Sequence, residues 1–134
     1  MTLTDKLCIV TGGGSGIGKS TAVLMASKGA HVILVGRTMS KLIAVQKTIE
    51  ERGGSASSMD ADISDNIAVK RLVEMVLKDY GHVDVLVNNA GHSSQYRKLL
   101  TSTPEDMQSV LNSNLFGTIY LTQSVVPIML KRKQ

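Results

Sequence analysis

A chain of 134 residues has the length of one domain, and 43% apolar against 19% charged residues is too apolar for a disordered chain. A single cysteine, Cys8, excludes a disulfide framework and an all-cysteine metal site. The 15 basic and 11 acidic residues give +4, but Lys131, Arg132 and Lys133 supply three of those charges, so residues 1–130 hold only +1 and form no basic stripe for nucleic acid.

Two hydrophobic periods alternate along the chain. Leu7 to Val10 is a short apolar run that reads as a strand. A glycine-rich stretch follows, then helical spacing at Ile17, Thr21, Leu24 and Met25, closed by Gly29. His31 to Val35 is the second strand. Lys41 to Arg52 has helical spacing through Leu42, Val45 and Ile49 and stops at Gly53–Gly54. Ser55 to Asp60 is a weak third strand. Ser64 is placed to cap a helix with the stripe Ile67, Leu72, Val73, Val76 and Tyr80, ended by Gly81. Val83 to Val87 is the fourth strand. Thr103, Pro104 and Asp106 form a helix start, with Thr at the N-cap and Pro in the first turn. That helix extends to about Lys131.

Strand and helix thus alternate four times, the pattern of an α/β domain with a parallel sheet and helices on both faces. No repeat, low-complexity segment or linker divides residues 1–134. The last helix should return to a fifth strand, yet the sequence stops at Gln134. The expectation is a single domain incomplete at its C-terminus, truncated after the fourth strand and the helix that follows. The fourth strand would then be a sheet edge, and Val110, Leu111, Leu121, Val125 and Met129 would be partly exposed. No apolar run approaches the roughly 20 residues that cross a bilayer, and Met1 to Lys6 is too polar for a signal peptide. No membrane contact and a reducing, cytoplasmic setting are expected.

The chemistry concentrates where strands end. Thr11-Gly12-Gly13-Gly14-Ser15-Gly16-Ile17-Gly18-Lys19-Ser20 lies between a strand and a helix, where backbone N–H groups hold phosphate. Gly13 to Ser20 satisfies the P-loop pattern G-x-x-x-x-G-K-[ST]. Gly12, Gly16 and Gly18 satisfy T-G-x-x-x-G-x-G. The loop by itself does not choose between them. A P-loop enzyme needs a Mg²⁺-linked Asp closing an apolar strand. Here His31–Val35 leads to Gly36 and Val83–Val87 to Asn88, so neither strand offers one. Lys19 then reads as a solvated residue. Arg37 follows the second strand, Asp62 the third, and Asn88-Asn89-Ala90-Gly91 the fourth. In an open parallel sheet these four points share one rim, where ligands bind.

Together, Thr11–Gly18, Asp62, Asn88-Asn89-Ala90-Gly91 and Asn114-Leu115-Phe116-Gly117 resemble the first half of a short-chain dehydrogenase/reductase, over essentially the whole chain. The resemblance implies a Rossmann-type doubly wound fold, an NAD or NADP cofactor, and hydride transfer between alcohols and carbonyls. It also implies a homo-oligomeric parent, because the helix from Thr103 packs between subunits in many members. Within the loop it makes Gly12, Gly14, Ser15, Gly16, Ile17 and Gly18 cofactor-binding residues. Asp62 would bond the adenine with Ile63 beside it, and Asn89, Ala90 and Gly91 would line the cofactor near the adenosine ribose and support the central strand. Asn114 matches the family's catalytic asparagine, whose backbone carbonyl holds a water. No metal site is expected.

Three of these residues have plainer readings too. Asp62 also suits a cap on the next helix. Asn114 shares a helical face with Met107, Val110, Leu111, Thr118 and Leu121, so it also reads as a core amide bonded to a neighbour, with Gly117 permitting a kink. Arg37 also reads as a solvent-facing residue at a helix start. As a site residue, Arg37 favours NADP over NAD. The acid that holds an NAD ribose is replaced by Gly36, and a cation for the 2′-phosphate follows it.

The family also uses a Ser after the fifth strand and a Y-x-x-x-K pair. Four residues beyond Tyr80, Tyr96 and Tyr120 stand Asp84, Leu100 and Ser124, so no such pair exists here. The chain is therefore expected to supply most of a cofactor site to an NADP-dependent parent enzyme and to be inactive alone. The alternatives are a short nucleotide-binding or interaction module and, further off, a P-loop phosphotransferase.

Overall fold

The computed structural model describes residues 2–96 and 98–132. Four strands, β1 (Leu7–Thr11), β2 (His31–Gly36), β3 (Ser55–Asp60) and β4 (Val85–Val87), form one parallel sheet in the order β3-β2-β1-β4. The connections carry α1 (Gly16–Ser27), α2 (Met39–Glu51) and α3 (Asn66–Tyr80). After β4 come α4 (Pro104–Leu111), a π turn (Asn112–Phe116) and α5 (Gly117–Lys131).

Both faces of β1 and β2 are covered, which is why these strands read as unbroken apolar runs. Their side chains alternate between two cores. Ile9, Ile33 and Val35 pack with Val69, Val73 and Val76 of α3 and Leu121 and Val125 of α5. Cys8, Val10, Val32 and Leu34 pack with Ala22 and Ala26 of α1 and Leu42, Val45 and Ile49 of α2. The expected α1 stripe is displaced: Ile17 is 78% and Leu24 60% exposed, while Gly18, Ala22 and Ala26 face the sheet. Small side chains let that helix approach the strands closely, so size overrides hydrophobicity there.

β3 reads as weak because, among the described residues, it pairs only with β2, and it carries three serines. Their hydroxyls are spent on side chains. Ser55 Oγ and Ser57 Oγ bracket the His31 ring at 2.6 and 3.0 Å, Ser57 Oγ also meets Tyr80 Oη at 2.7 Å, and Ser58 Oγ donates to Gln46 at 2.8 Å. Burial holds the His31 pKa below its ordinary value.

Three other expectations are corrected. The cap of α3 is Asp65, whose carboxylate accepts from the Ile67 N–H at 2.8 Å; Ser64 lies one residue too early, and Ile67 is 63% exposed. β4 contracts to three residues: Asp84 still donates its N–H to the Leu7 carbonyl at 2.9 Å, but the return bond goes to its side chain and not its backbone. Its side chain accepts from the Leu7 N–H at 2.8 Å, and it pairs with Lys6, His82 and Arg132. The last helix starts as expected, with Thr103 Oγ1 accepting from the Asp106 N–H at 3.1 Å. It then carries one extra residue in the π turn, where the Gly117 N–H reaches back five residues to the Asn112 carbonyl. The insertion rotates the inner face by one position. Ser113, Gly117, Leu121 and Val125 are buried, in place of the expected Asn114 and Thr118. Leu121 and Val125 are thus core; the exposed apolar residues of this segment include Leu111, Leu115, Phe116 and Leu130.

Candidate functional site

The glycine loop is moulded against the end of β4. Thr11, fully buried at the end of β1, uses its hydroxyl completely. Oγ1 accepts from the Asn89 and Ala90 N–H groups at 3.0 and 2.9 Å and donates to the Val87 carbonyl at 3.3 Å. The Asn89 amide returns the contact, donating from Nδ2 to the Thr11 carbonyl at 2.9 Å. Gly18 enters α1 so close to this knot that a Cβ there would collide with the Gly12 carbonyl oxygen and lie 2.5 Å from Asn89 Nδ2. Gly12 turns with φ +66° against the same amide. The first turn of α1 therefore sits directly over the rim.

That turn is prepared for an anion. Gly16, Ile17 and Gly18 are its first three residues, whose N–H groups have no intrahelical acceptor. The Ser15 side chain makes no cap bond, and no acid stands in the first turn. The helix dipole adds a partial positive charge at the same point.

A cleft of about 130 Å³ opens beside the loop. It brings together Gly12, Arg37, Asp62, Ile63, Ala90 and Gly91, from the ends of all four strands, with Gly36 in its wall. Arg37 and Asp62 also border a wider hollow of about 560 Å³ that reaches Glu105 and Gln108 on α4. The remaining expected residues lie elsewhere. Gly14, Ser15, Gly16, Ile17 and Gly18 form the loop and helix start outside this cleft. Asn89 ties β4 to the loop. Lys19, the lysine of the P-loop pattern, lines a groove between α1 and α2.

Asp62 does not cap α3. Its Oδ1 accepts from the N–H and hydroxyl of Ser64 at 3.0 and 2.7 Å. Partial burial raises its pKa, but the two Ser64 bonds, with the fields of Arg37 and His92, outweigh it and leave the carboxyl below its ordinary value. Asp62 is exposed and lines the cleft. Ile63 is buried, and Gly117 makes that possible: a Cβ at Gly117 would lie 2.8 Å from the Ile63 side chain. Gly117 thus serves close packing, while the π turn makes the irregularity attributed to it.

Asn114 is exposed, contrary to the core-amide reading. Its side chain clasps one residue from both sides: Oδ1 accepts from the His92 N–H and Nδ2 donates to the His92 carbonyl, each at 2.9 Å. Gly91 fits beneath this clasp, since a Cβ there would meet Asn114 Oδ1 at 2.9 Å. The Asn114 carbonyl accepts from Thr118 Oγ1 at 3.2 Å. The sequence alone gives no separate role to Thr11 and no place in the site to Ser113. A buried Thr closing an apolar strand was a usable signal for Thr11; Ser113 had none, because the π turn that buries it left no mark on the periodicity.

The family model for short chain dehydrogenases matches residues 6–134. This chain belongs to the short-chain dehydrogenase family. It is 39% identical over 133 residues to 3-oxoacyl-[acyl-carrier-protein] reductase FabG of Thermotoga maritima, covering 99% of this chain and 54% of that protein. A metagenomic short-chain oxidoreductase solved in complex with NADP superposes with a TM-score of 0.95 at 34% identity, covering 100% of this chain and 61% of that one. A xylitol dehydrogenase solved with NAD⁺ superposes with a TM-score of 0.93 at 29% identity, covering 98% and 51%. The chain spans about half the length of the curated relatives it matches. Family membership removes the P-loop phosphotransferase reading and accounts for the Rossmann-type sheet. No helix among the described residues is long and apolar enough to cross a membrane.

Proposed function

We propose that this chain is the cofactor-binding part of an NADP-dependent oxidoreductase acting on an alcohol or carbonyl. The observation that carries the proposal is the cleft, in which Gly36 and Arg37 stand where an NAD site needs an acid. The residues fit a dinucleotide. The loop leaves no room for a Cβ at Gly12 or Gly18, and the bare first turn of α1 suits a pyrophosphate. Arg37 would take the 2′-phosphate, Asp62 and Ile63 the adenine, and Ala90 and Gly91 the ribose side, with Asn89 holding β4 to the loop. The bound cofactor supplies the hydride; the chain binds and orients it.

Catalysis on this reading needs a general acid/base that the chain does not carry as a Y-x-x-x-K pair. In the parent, Asn114 would hold a water on its backbone carbonyl while its side chain fixes His92. We further propose a cytoplasmic, homo-oligomeric parent and no activity from these 134 residues alone. A charge-assisted bond to the 2′-phosphate is worth on the order of 1.5–3 kcal/mol, roughly tenfold to a hundredfold in affinity. Fluorescence titration with NADPH and NADH should show that preference for NADPH, and Arg37→Ala should abolish it. Equal affinities, or an unchanged ratio in the variant, refute the assignment.

A further inference from the structure

A groove of about 480 Å³ runs between α1 and α2 and takes no part in the site described above. Val23, Leu24 and Ala26 of α1 and Ile49 of α2 give it an apolar lining, and Leu24 is 60% exposed. Gly54 stands at one end without a side chain; a Cβ there would lie 2.8 Å from Ile49 Cγ2 and 3.2 Å from Ala26 Cβ. The hydroxyls of the groove are those of Ser20, Ser27 and Thr48. Each donates to its own helix, to the Gly16, Leu24 and Ala44 carbonyls at 3.1, 2.7 and 2.9 Å. A hydroxyl has one proton to donate, so these three keep none for a ligand. The side-chain donors that remain are Lys19 at one end and Arg52 at the other, both exposed. No acid lines the groove, α1 contains none, and every ion pair among the described residues is made to Asp84.

Two cations separated by an apolar stretch discriminate among ligands. A neutral polar ligand would find no hydroxyl donor, and an amphiphile with one anionic head would leave one cation unanswered. From Lys19 to Ala26, beside Gly54, α1 advances seven residues, about 10 Å. Two acids seven residues apart on another helix span the same distance, and the positions three and four residues after the first acid lie on the same face between them. We propose that the groove between α1 and α2 is a docking surface for an acidic amphipathic helix of a partner protein. Its acids at i and i+7 meet Lys19 and Arg52, and its apolar residues at i+3 and i+4 cover Val23 and Leu24. The proposal is independent of the oxidoreductase reading.

The test uses the 134-residue chain and a hydrocarbon-stapled helical peptide with Glu at i and i+7 and Leu at i+3 and i+4, the staple being needed because so short a helix is marginal in water. A second peptide carries Lys in place of both Glu. By fluorescence anisotropy the acidic peptide should bind at least tenfold more tightly than the basic one, and in amide NMR it should move residues 19–27 and 48–54. The double variant Lys19→Glu, Arg52→Glu should invert the preference, and Leu24→Ser should weaken the acidic peptide at least threefold. If the double variant melts early, Lys19→Gln and Arg52→Gln, singly and at exposed positions, should each reduce the preference. Equal binding of the two peptides, shifts confined to other residues, or an unchanged preference in a folded variant overturns the proposal. So does laurate binding in the groove without peptide binding, which assigns it to a small amphiphile, or self-association that Leu24→Ser abolishes, which assigns it to a second copy of the chain.

Discussion

Replacing Gly18 by Ala tests the argument that the loop is shaped by contact with β4. The added methyl would meet the Gly12 carbonyl oxygen and Asn89 Nδ2. Neither yields easily, because the carbonyl is backbone and the amide is committed to the Thr11 carbonyl. Overpacking of this kind costs about 1–3 kcal/mol. If the Asn89 bond breaks as well, another ~0.5–1.5 kcal/mol is lost. Alanine's better helix propensity returns at most ~1 kcal/mol. The net expectation is a loss of about 1–3 kcal/mol, with the first turn of α1 pushed off the rim. Urea unfolding should show a lower midpoint at unchanged slope, and NADPH binding should weaken at least tenfold. Gly16→Ala is the comparison: no atom lies within 4 Å of its Cβ position, and only its φ of +52° is strained. It should cost about 1–2 kcal/mol without displacing Asn89. A Gly18→Ala chain as stable and as tightly binding as the parent chain refutes the reasoning.

Asn114→Ala should remove both bonds to His92, worth about 1–2 kcal/mol together at an exposed position. Hydrogen exchange at the His92 amide should accelerate while the β1 and β2 amides stay protected; unchanged exchange at His92 counts against the clasp. The Cys8 thiol is fully buried, and burial, then the nearby Asp84 charge, raise its pKa to about 11, against a smaller lowering by Lys6. It should resist a thiol-specific reagent at pH 8 until the chain is unfolded. Because the folded pKa is raised above the ordinary 9.0, its contribution to stability is complete below pH 9 and is lost as pH rises through 11; rapid labelling of the folded chain refutes this. β4 pairs only with β1 among the described residues, and Leu115, Phe116 and Leu130 of the last helical segment are exposed. Such an edge and apolar set favour association, so sedimentation should show a concentration-dependent oligomer, and a monodisperse monomer would refute that expectation.

The sequence by itself determined the alternation of strands and helices, the parallel sheet and the four rim positions. These follow from local rules: apolar runs bounded by glycine, a capped helix start, and polar residues where strands end. Arg37, Asp62, Ala90 and Gly91 could be named because a strand's C-terminal end is visible in one dimension. Only the tertiary structure decided what depends on contact between distant elements. Ala22 and Ala26 rather than Ile17 and Leu24 face the sheet, because the permitted distance to β1 sets side-chain size. Asn89 and Thr11 act as one knot, because parallel pairing brings residues 78 positions apart into hydrogen-bonding range. Asn114 turns outward to clasp His92, and Ser113 inward, because a single i→i+5 turn rotates the helix. An inserted residue of that kind costs one hydrogen-bond register and leaves the apolar spacing on either side nearly intact, so no periodicity argument detects it.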